Sequence, residues 1–282
     1  MPYKLIALDI DGTILDKGGK LRESVKNALK KAMDAGIHVT LATGRRLRAA
    51  LPLARELGIR LPLVLNNGAL VVDPVSGETL FYRTIPVTTA RMLIRFADKH
   101  GCGPVLYRHV HEGPDVYYSR VDGDYAQFLA RIPDQAVRVP DLVEACDFEP
   151  VKIVLAAERE AIRNLAEDVR LNLKRRYRVI MEDDDSVFAG KTLLEFFHHS
   201  CSKGSAVRRI ARMVGVPRSA VVAIGDNLND LEMIRYAGLG VAMGNGPDAV
   251  KSAARAVTAT NDEDGVVLAL ERYVFQSRLA LP

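Results

Sequence analysis

At 282 residues the chain has room for two domains, each with a core of its own. Apolar residues make up 48% and charged residues 26%, which sets aside disordered, fibrous and low-complexity readings. The 39 Lys and Arg against 35 Asp and Glu leave +4, and that excess is not gathered with aromatics into one basic face, so nucleic acid is not an expected partner.

The chain opens on KLIALDI (residues 4–10), an apolar run of strand length. ESVKNALKKAMDAG (23–36) then repeats Val25, Leu29 and Met33 every four residues and stops on Gly36, which predicts a helix. IHVTLAT (37–43) is a second buried strand. RLRAALPLARELG (46–58) is helix-like but interrupted by Pro52, and it leads into LPLVLNNGALVV (61–72). Strand, helix, strand, helix at this spacing predicts a parallel sheet with helices on both faces.

Residues 84–188 change texture. VLYRHV (105–110) and DVYYSR (115–120) alternate with polar residues, and two longer helices are predicted at 88–101 and 158–177. Ile85–Pro86 and Ala189–Gly190 read as the crossing points. MEDDDS (181–186) reads as a solvated loop rather than a metal site. This stretch carries 15 Lys and Arg against 18 Asp and Glu, while the flanks carry 24 against 17, so a small anionic substrate met by a few local cations suits the distribution.

The first pattern resumes with a helix in SKGSAVRRIARMVG (202–215), a strand in AVVAIGD (220–226), a helix in NDLEMIRYAG (229–238) and a strand and turn in LGVAMGNG (239–246). The expected architecture is α/β: a doubly wound, Rossmann-like parallel-sheet core from residues 1–83 and 189–282, with a smaller α/β domain, residues 84–188, inserted into one of its loops. No apolar run approaches the ~18 to 20 residues of a membrane span, and the chain enters a strand within five residues. Cys102, Cys146 and Cys201 are odd in number and widely spaced, which suits neither a disulfide framework nor a zinc site. A cytoplasmic protein without a membrane partner is expected, and nothing in the pattern speaks to oligomeric state.

Four signals carry chemistry. Asp9-Ile10-Asp11-Gly12-Thr13 ends the first strand, where residues two apart point to the same side, so Asp9 and Asp11 are expected to aim beyond the sheet edge. That edge is where doubly wound sheets bind ligands, and two close carboxylates call for a cation, for which oxygen ligands favour Mg2+. Alone, Asp-Gly is also turn chemistry. Thr43-Gly44-Arg45 follows the second strand and joins a hydroxyl to the expected start of a helix, which suits a phosphate oxygen or a simple N-cap equally well. Lys203 enters a helix, a surface position unless it faces Asp9. Gly225-Asp226-Asn227-Leu228-Asn229-Asp230 ends a third strand, with Asp226 and Asp230 one helical turn apart, more acid than capping requires. All four fall at strand ends of one parallel sheet, in an order that a single pocket collects.

These residues resemble the four motifs of the haloacid dehalogenase superfamily of phosphohydrolases. ATGR (42–45), NNGA (66–69), GDNLNDLEM (225–233) and AMGNGPDAVKSAA (242–254) resemble its Cof-type branch, which carries a type IIB α/β cap between the second and third motifs. The resemblance implies a phosphatase in which Asp9 attacks phosphorus and becomes an aspartyl phosphate, and Asp11 protonates the leaving oxygen and then activates water. It implies Mg2+ held by the Asp9 carboxylate, the main-chain carbonyl of Asp11 and Asp226, with Asp230 in support. The amide of Ile10 together with Thr43, Gly44, Lys203 and Asn229 would surround the phosphoryl oxygens of a small phosphorylated metabolite. His198 and His199 are expected on opposite faces of an extended chain, so they form no chelating pair.

Competing readings are a phosphomutase of the same superfamily, a phosphoacceptor signalling domain and a sugar-phosphate sensor. The last two have no need of a competent Asp11. No residue in 84–188 receives a role: Arg108, His109, His111, Tyr117 and Arg120 are polar positions on alternating strands, which solvent accounts for equally well. Sugar phosphates, phosphoglycolate, flavin mononucleotide and pyridoxal phosphate are all open as substrates.

Overall fold

The computed structural model of the chain describes residues 3–276, apart from 110–112, 122, 174–176 and 185–189. It divides into two compact units, one formed by Met1–Phe81 with Ser202–Pro282 and the other by Tyr82–Cys201.

The first unit is built on a five-stranded sheet in the spatial order Ala256–Val257, Leu239–Ala242, Val221–Gly225, Leu5–Leu8 and His38–Leu41. Every pairing in it is parallel. Leu5, Ile6, Ala7 and Leu8 are fully buried, as a central strand covered on both faces requires. Alternation sends Ile6 and Leu8 into a cluster with Leu29, Ala50 and Ala54 from the helices Glu23–Asp34 and Leu47–Glu56. It sends Leu5 and Ala7 into another with Val207, Ile210 and Met233 from Lys203–Met213 and Leu231–Tyr236. Helices therefore cover both faces, and the doubly wound α/β class read from the sequence is the class observed. Pro52 lies inside Leu47–Glu56 on its exposed side without ending the helix, contrary to the expected interruption.

The second unit is a six-stranded sheet in the order Tyr177–Asp184, Lys191–His198, Lys152–Ala157, Val105–Tyr107, Val116–Tyr118 and Ala136–Arg138. Its pairings are antiparallel except the last. Helices Val87–Lys99 and Arg159–Asn172 supply Leu93, Ile94, Ile162, Leu165 and Val169 to a core with Leu106, Ile153, Leu155 and Phe196 from the sheet.

Three expectations are corrected here. The crossings fall at 82 and 201, not 84 and 188, because Lys191–His198 pairs along its full length with Tyr177–Asp184 and also with Lys152–Ala157, which ties residues 191–198 to the second sheet. The same pairing makes Met181 to Asp184 part of a strand rather than a loop, and Asp185 and Ser186 lie outside the described residues. The strand ends at His198 and the chain turns, so the rings of His198 and His199 come to 4.2 Å between centroids instead of facing apart. Arg108 and Tyr117 both pack on Phe148, and His109 packs on Tyr82, while His111 lies outside the described residues. Cys102, Cys146 and Cys201 are buried free thiols, and burial pushes Cys146 and Cys201 up to about 11. Among the described residues no helix is long and apolar enough to cross a membrane.

Candidate active site

Parallel register brings three strand ends of the first unit to one edge. Leu8 pairs with Ile224 on one side and Leu41 on the other. The next residues, Asp9, Gly225–Asp226 and Ala42–Thr43, leave the sheet together. The Asp9 amide donates to the Ile224 carbonyl at 3.0 Å, the Ala42 amide to Leu8 at 2.7 Å and the Thr43 amide to Val64 at 2.9 Å, so the main chain fixes each of them.

Lys203 is buried between two carboxylates. Its Nζ lies 2.8 Å from Asp9 Oδ1 and 2.7 Å from Asp230 Oδ1. Ser202 places it there: its hydroxyl accepts from the Ser205 amide and the Ser205 hydroxyl accepts from the Ser202 amide, closing the helix start so that Lys203 is the first helical residue. The second oxygen of Asp230 accepts from the amides of Asp226 and Asn227, each at 3.0 Å. Asp230 is fully buried, so the capping role and the electrostatic role expected of it coincide.

Asp9, Asp226 and Asp230 each offer an oxygen within 4.8 Å of the others. Three carboxylates face one lysine, and the excess of negative charge registers in the acids. Burial first and Asp230 second push Asp9 well above the usual carboxylate range, with Lys203 opposing them. The same two causes push Asp226 up to about 6. Burial alone would lower Lys203, but Asp230 and Asp9 raise it above its ordinary value and hold it charged. An all-oxygen donor set short of positive charge fits a hard divalent cation such as Mg2+.

Gly12 makes this cluster possible. Its φ is +72°, and a Cβ added to it would lie 2.3 Å from Asp226 Oδ2. Thr13 Oγ1 donates to Asp226 Oδ1 at 2.9 Å, while Asn245 Nδ2 donates to the Gly12 carbonyl at 2.9 Å and stands 3.5 Å from Asp226 Oδ2.

Asp11 is close enough for its charge to raise Asp226, but it is not one of the three clustered acids. Its side chain is 61% exposed and outside the acidic cluster. Its two oxygens accept from Arg45 Nε at 2.9 Å and Arg45 Nη2 at 2.6 Å. The cation that answers this carboxylate is therefore an arginine. Thr43 is buried, but the helix begins only at Leu47, so its hydroxyl neither caps that helix nor adjoins its first amides; it accepts from the Arg45 amide at 3.0 Å. Asn229 Nδ2 donates to Asn67 Oδ1 at 3.2 Å. Reading the sequence misses Thr13, Arg45, Asn67 and Asn245 as site residues, although all four stand inside the motifs that carry the chemistry and the resemblance.

The family model described as haloacid dehalogenase-like hydrolase matches residues 6–270. The 5-amino-6-(5-phospho-D-ribitylamino)uracil phosphatase YitU of Bacillus subtilis is 32% identical over 276 residues, covering 96% of this chain and 97% of its own length. A second phosphatase of that name, YcsE of the same organism, is 30% identical over 273 residues, covering 96% of each. Among solved structures, a haloacid dehalogenase-like hydrolase from Bacteroides thetaiotaomicron superposes with a TM-score of 0.81 at 27% identity, covering 96% of this chain and 99% of the other.

Proposed function

Because the chain belongs to the haloacid dehalogenase-like hydrolases of the Cof type, and is a phosphatase of small phosphorylated metabolites, we propose that Asp9 is its nucleophile and Mg2+ its cofactor. The observation that carries this reading is the buried lysine 2.8 Å from Asp9 and 2.7 Å from Asp230, with Asp226 completing a set of oxygens.

The Asp9 carboxylate attacks phosphorus, the bond to the ester oxygen breaks, and the phosphoryl group rests on Asp9 as an acyl phosphate. Lys203 stays charged throughout and draws the phosphoryl oxygens, which also meet the amide of Ile10, Thr43, Gly44 and the side chain of Asn229. Asp11 protonates the departing alkoxide and then takes a proton from the water that releases phosphate. Its pairing with Arg45 holds it as an acceptor, so the acid form requires Asp11 to exchange Arg45 for the ester oxygen. Asp9, Asp226 and the Asp11 carbonyl would hold the metal, with Asp230 supporting them through Lys203 and the two amides. When bound, the ion offsets the repulsion between the Asp9 carboxylate and the phosphate dianion.

The unit Tyr82–Cys201 is proposed as the cap that selects the leaving group. Two relatives share a ribitylaminouracil phosphatase name, so that ester is the first to test, followed by sugar phosphates. Asp9→Asn is expected to abolish phosphate release while leaving the circular dichroism spectrum and melting temperature close to those of the parent. Undiminished turnover in that variant would remove the mechanism. Accumulation of inorganic phosphate, rather than of a second phosphorylated sugar, separates hydrolysis from mutase chemistry.

A further inference from the structure

The turn Asn66–Gly68 has no part in the mechanism above, yet it touches three of its elements. Asn66, Asn67 and Gly68 hold left-handed backbone in succession, with φ of 47°, 54° and 91°. Asparagine is the non-glycine residue that adopts this conformation most readily, and a run of it persists where the surroundings over-determine it. Here they do. The Asn66 amide donates to the Arg45 carbonyl at 3.1 Å and the Asn67 amide to the Thr43 carbonyl at 3.0 Å. A Cβ added to Gly68 would lie 2.1 Å from the carbonyl oxygen of Ser202, the residue before Lys203.

The Asn67 side chain is buried and lies flat against Gly44, where an added Cβ would stand 3.2 Å from its Nδ2 and 3.3 Å from its Oδ1. Its Oδ1 accepts from Asn229 Nδ2. Asn229 Oδ1 is itself buried without a hydrogen-bond partner among the described residues. The bond to Asn67 is thus the contact that decides which way the Asn229 amide faces, and it leaves the second N–H of Nδ2 free for another acceptor.

We infer that Asn67 is a positioning residue of the phosphoryl pocket. Its side chain orients the Asn229 amide toward the phosphoryl oxygens and its main chain fixes the Thr43–Gly44 peptide. This rests on the phosphatase reading, in which Asn229 and Gly44 meet those oxygens.

The test is a double-mutant cycle of Asn67→Gly, Asn229→Ala and the pair, read as kcat, KM and the inhibition constant of inorganic phosphate. Glycine accepts the backbone conformation at 67, so the fold is kept while the side chain is lost. Each single change is expected to raise KM and the phosphate inhibition constant about tenfold with a smaller fall in kcat, and the pair to be no worse than the poorer single variant. Effects that multiply in the pair, or an unchanged KM in Asn67→Gly, overturn the assignment. Gly44→Ala presses a methyl onto the same side chain and is expected to weaken phosphate binding in the same way. Should Asn67→Gly fail to fold, an unchanged inhibition constant in Gly44→Ala overturns it instead. Absence of phosphate release from the unaltered protein would remove the phosphatase reading; titration of inorganic phosphate into the same proteins by calorimetry still decides the positioning role.

Discussion

Asp226 gathers contacts from Thr13, Asn245 and the neighbourhood of Gly12 while sharing the deficit of positive charge with Asp9 and Asp230. Its carboxyl is raised from 3.8 to about 6, burial first and Asp230 next. A carboxyl raised on folding holds its proton more tightly in the folded chain than in the unfolded one. In metal-free protein its contribution to stability is therefore present below its ordinary value and lost as the pH climbs through about 6. Asp9 shifts the same way. A divalent cation competes with those protons, so Mg2+ is expected to raise the melting temperature more at neutral pH than at about pH 5. Scanning calorimetry of metal-free protein with added Mg2+ measures this, and an equal increment at both would exclude the acidic cluster as the binding place. Asp9 and Asp226 were legible in the sequence because each follows a buried strand of the parallel sheet. Lys203 was legible as the first residue of a helix, but not at a strand end of that sheet as expected, since the strand before it, Lys191–His198, belongs to the second sheet. The partner of Asp11 was not legible: Arg45 lies 34 residues away, and which of two adjacent arginines turns inward is decided by the fold.

At the scale of elements, the start of Lys203–Met213 joins stability to the site. The reciprocal bonds between Ser202 and Ser205 satisfy two backbone donors and fix the entry of the helix that presents Lys203. Ser202→Ala is expected to cost about 1 kcal/mol in denaturant unfolding, the usual worth of an N-cap, and to lower kcat by loosening the placement of Lys203. A stability loss with kcat untouched would mean that burial alone seats the lysine. Periodicity exposed most helices and the buried strands of the first unit, since 3.6-residue and unbroken apolar patterns differ plainly. It did not expose the partner of Lys191–His198. That strand alternates buried and partly buried residues as an edge or a centre of either sheet would, and its two antiparallel neighbours are a matter of pairing between segments. For the same reason Met181 to Asp184 read as a loop: an acidic run looks solvated until a strand is laid beside it.

Among the described residues, the first unit packs a buried cluster on each face of its parallel sheet and the second unit packs one of its own. Ile153 is fully buried in the second unit, and Ile153→Ala is expected to cost about 2–5 kcal/mol there. Hydrogen exchange checks whether that cost stays local: amides of residues 152–157 and 191–198 should exchange faster, while those of 5–8 and 221–225 keep their protection. Equal acceleration in both sets would mean that the units unfold as one. The two-unit plan was visible in the change of texture near residue 84, where the apolar runs of the flank give way to runs interleaved with polar residues.

One consequence of the sheet order concerns time rather than structure. Leu5–Leu8 sits between His38–Leu41, which a ribosome delivers almost at once, and Val221–Gly225, which it delivers more than two hundred residues later. At about 5–20 residues per second the first strand waits on the order of ten seconds or more with one flank bare, while the whole of Tyr82–Cys201 emerges and can complete its own core. Asp9 is thus made early and meets Asp226 and Asp230 last, so a chain stalled before residue 221 carries the proposed nucleophile without the two acids that complete its cluster.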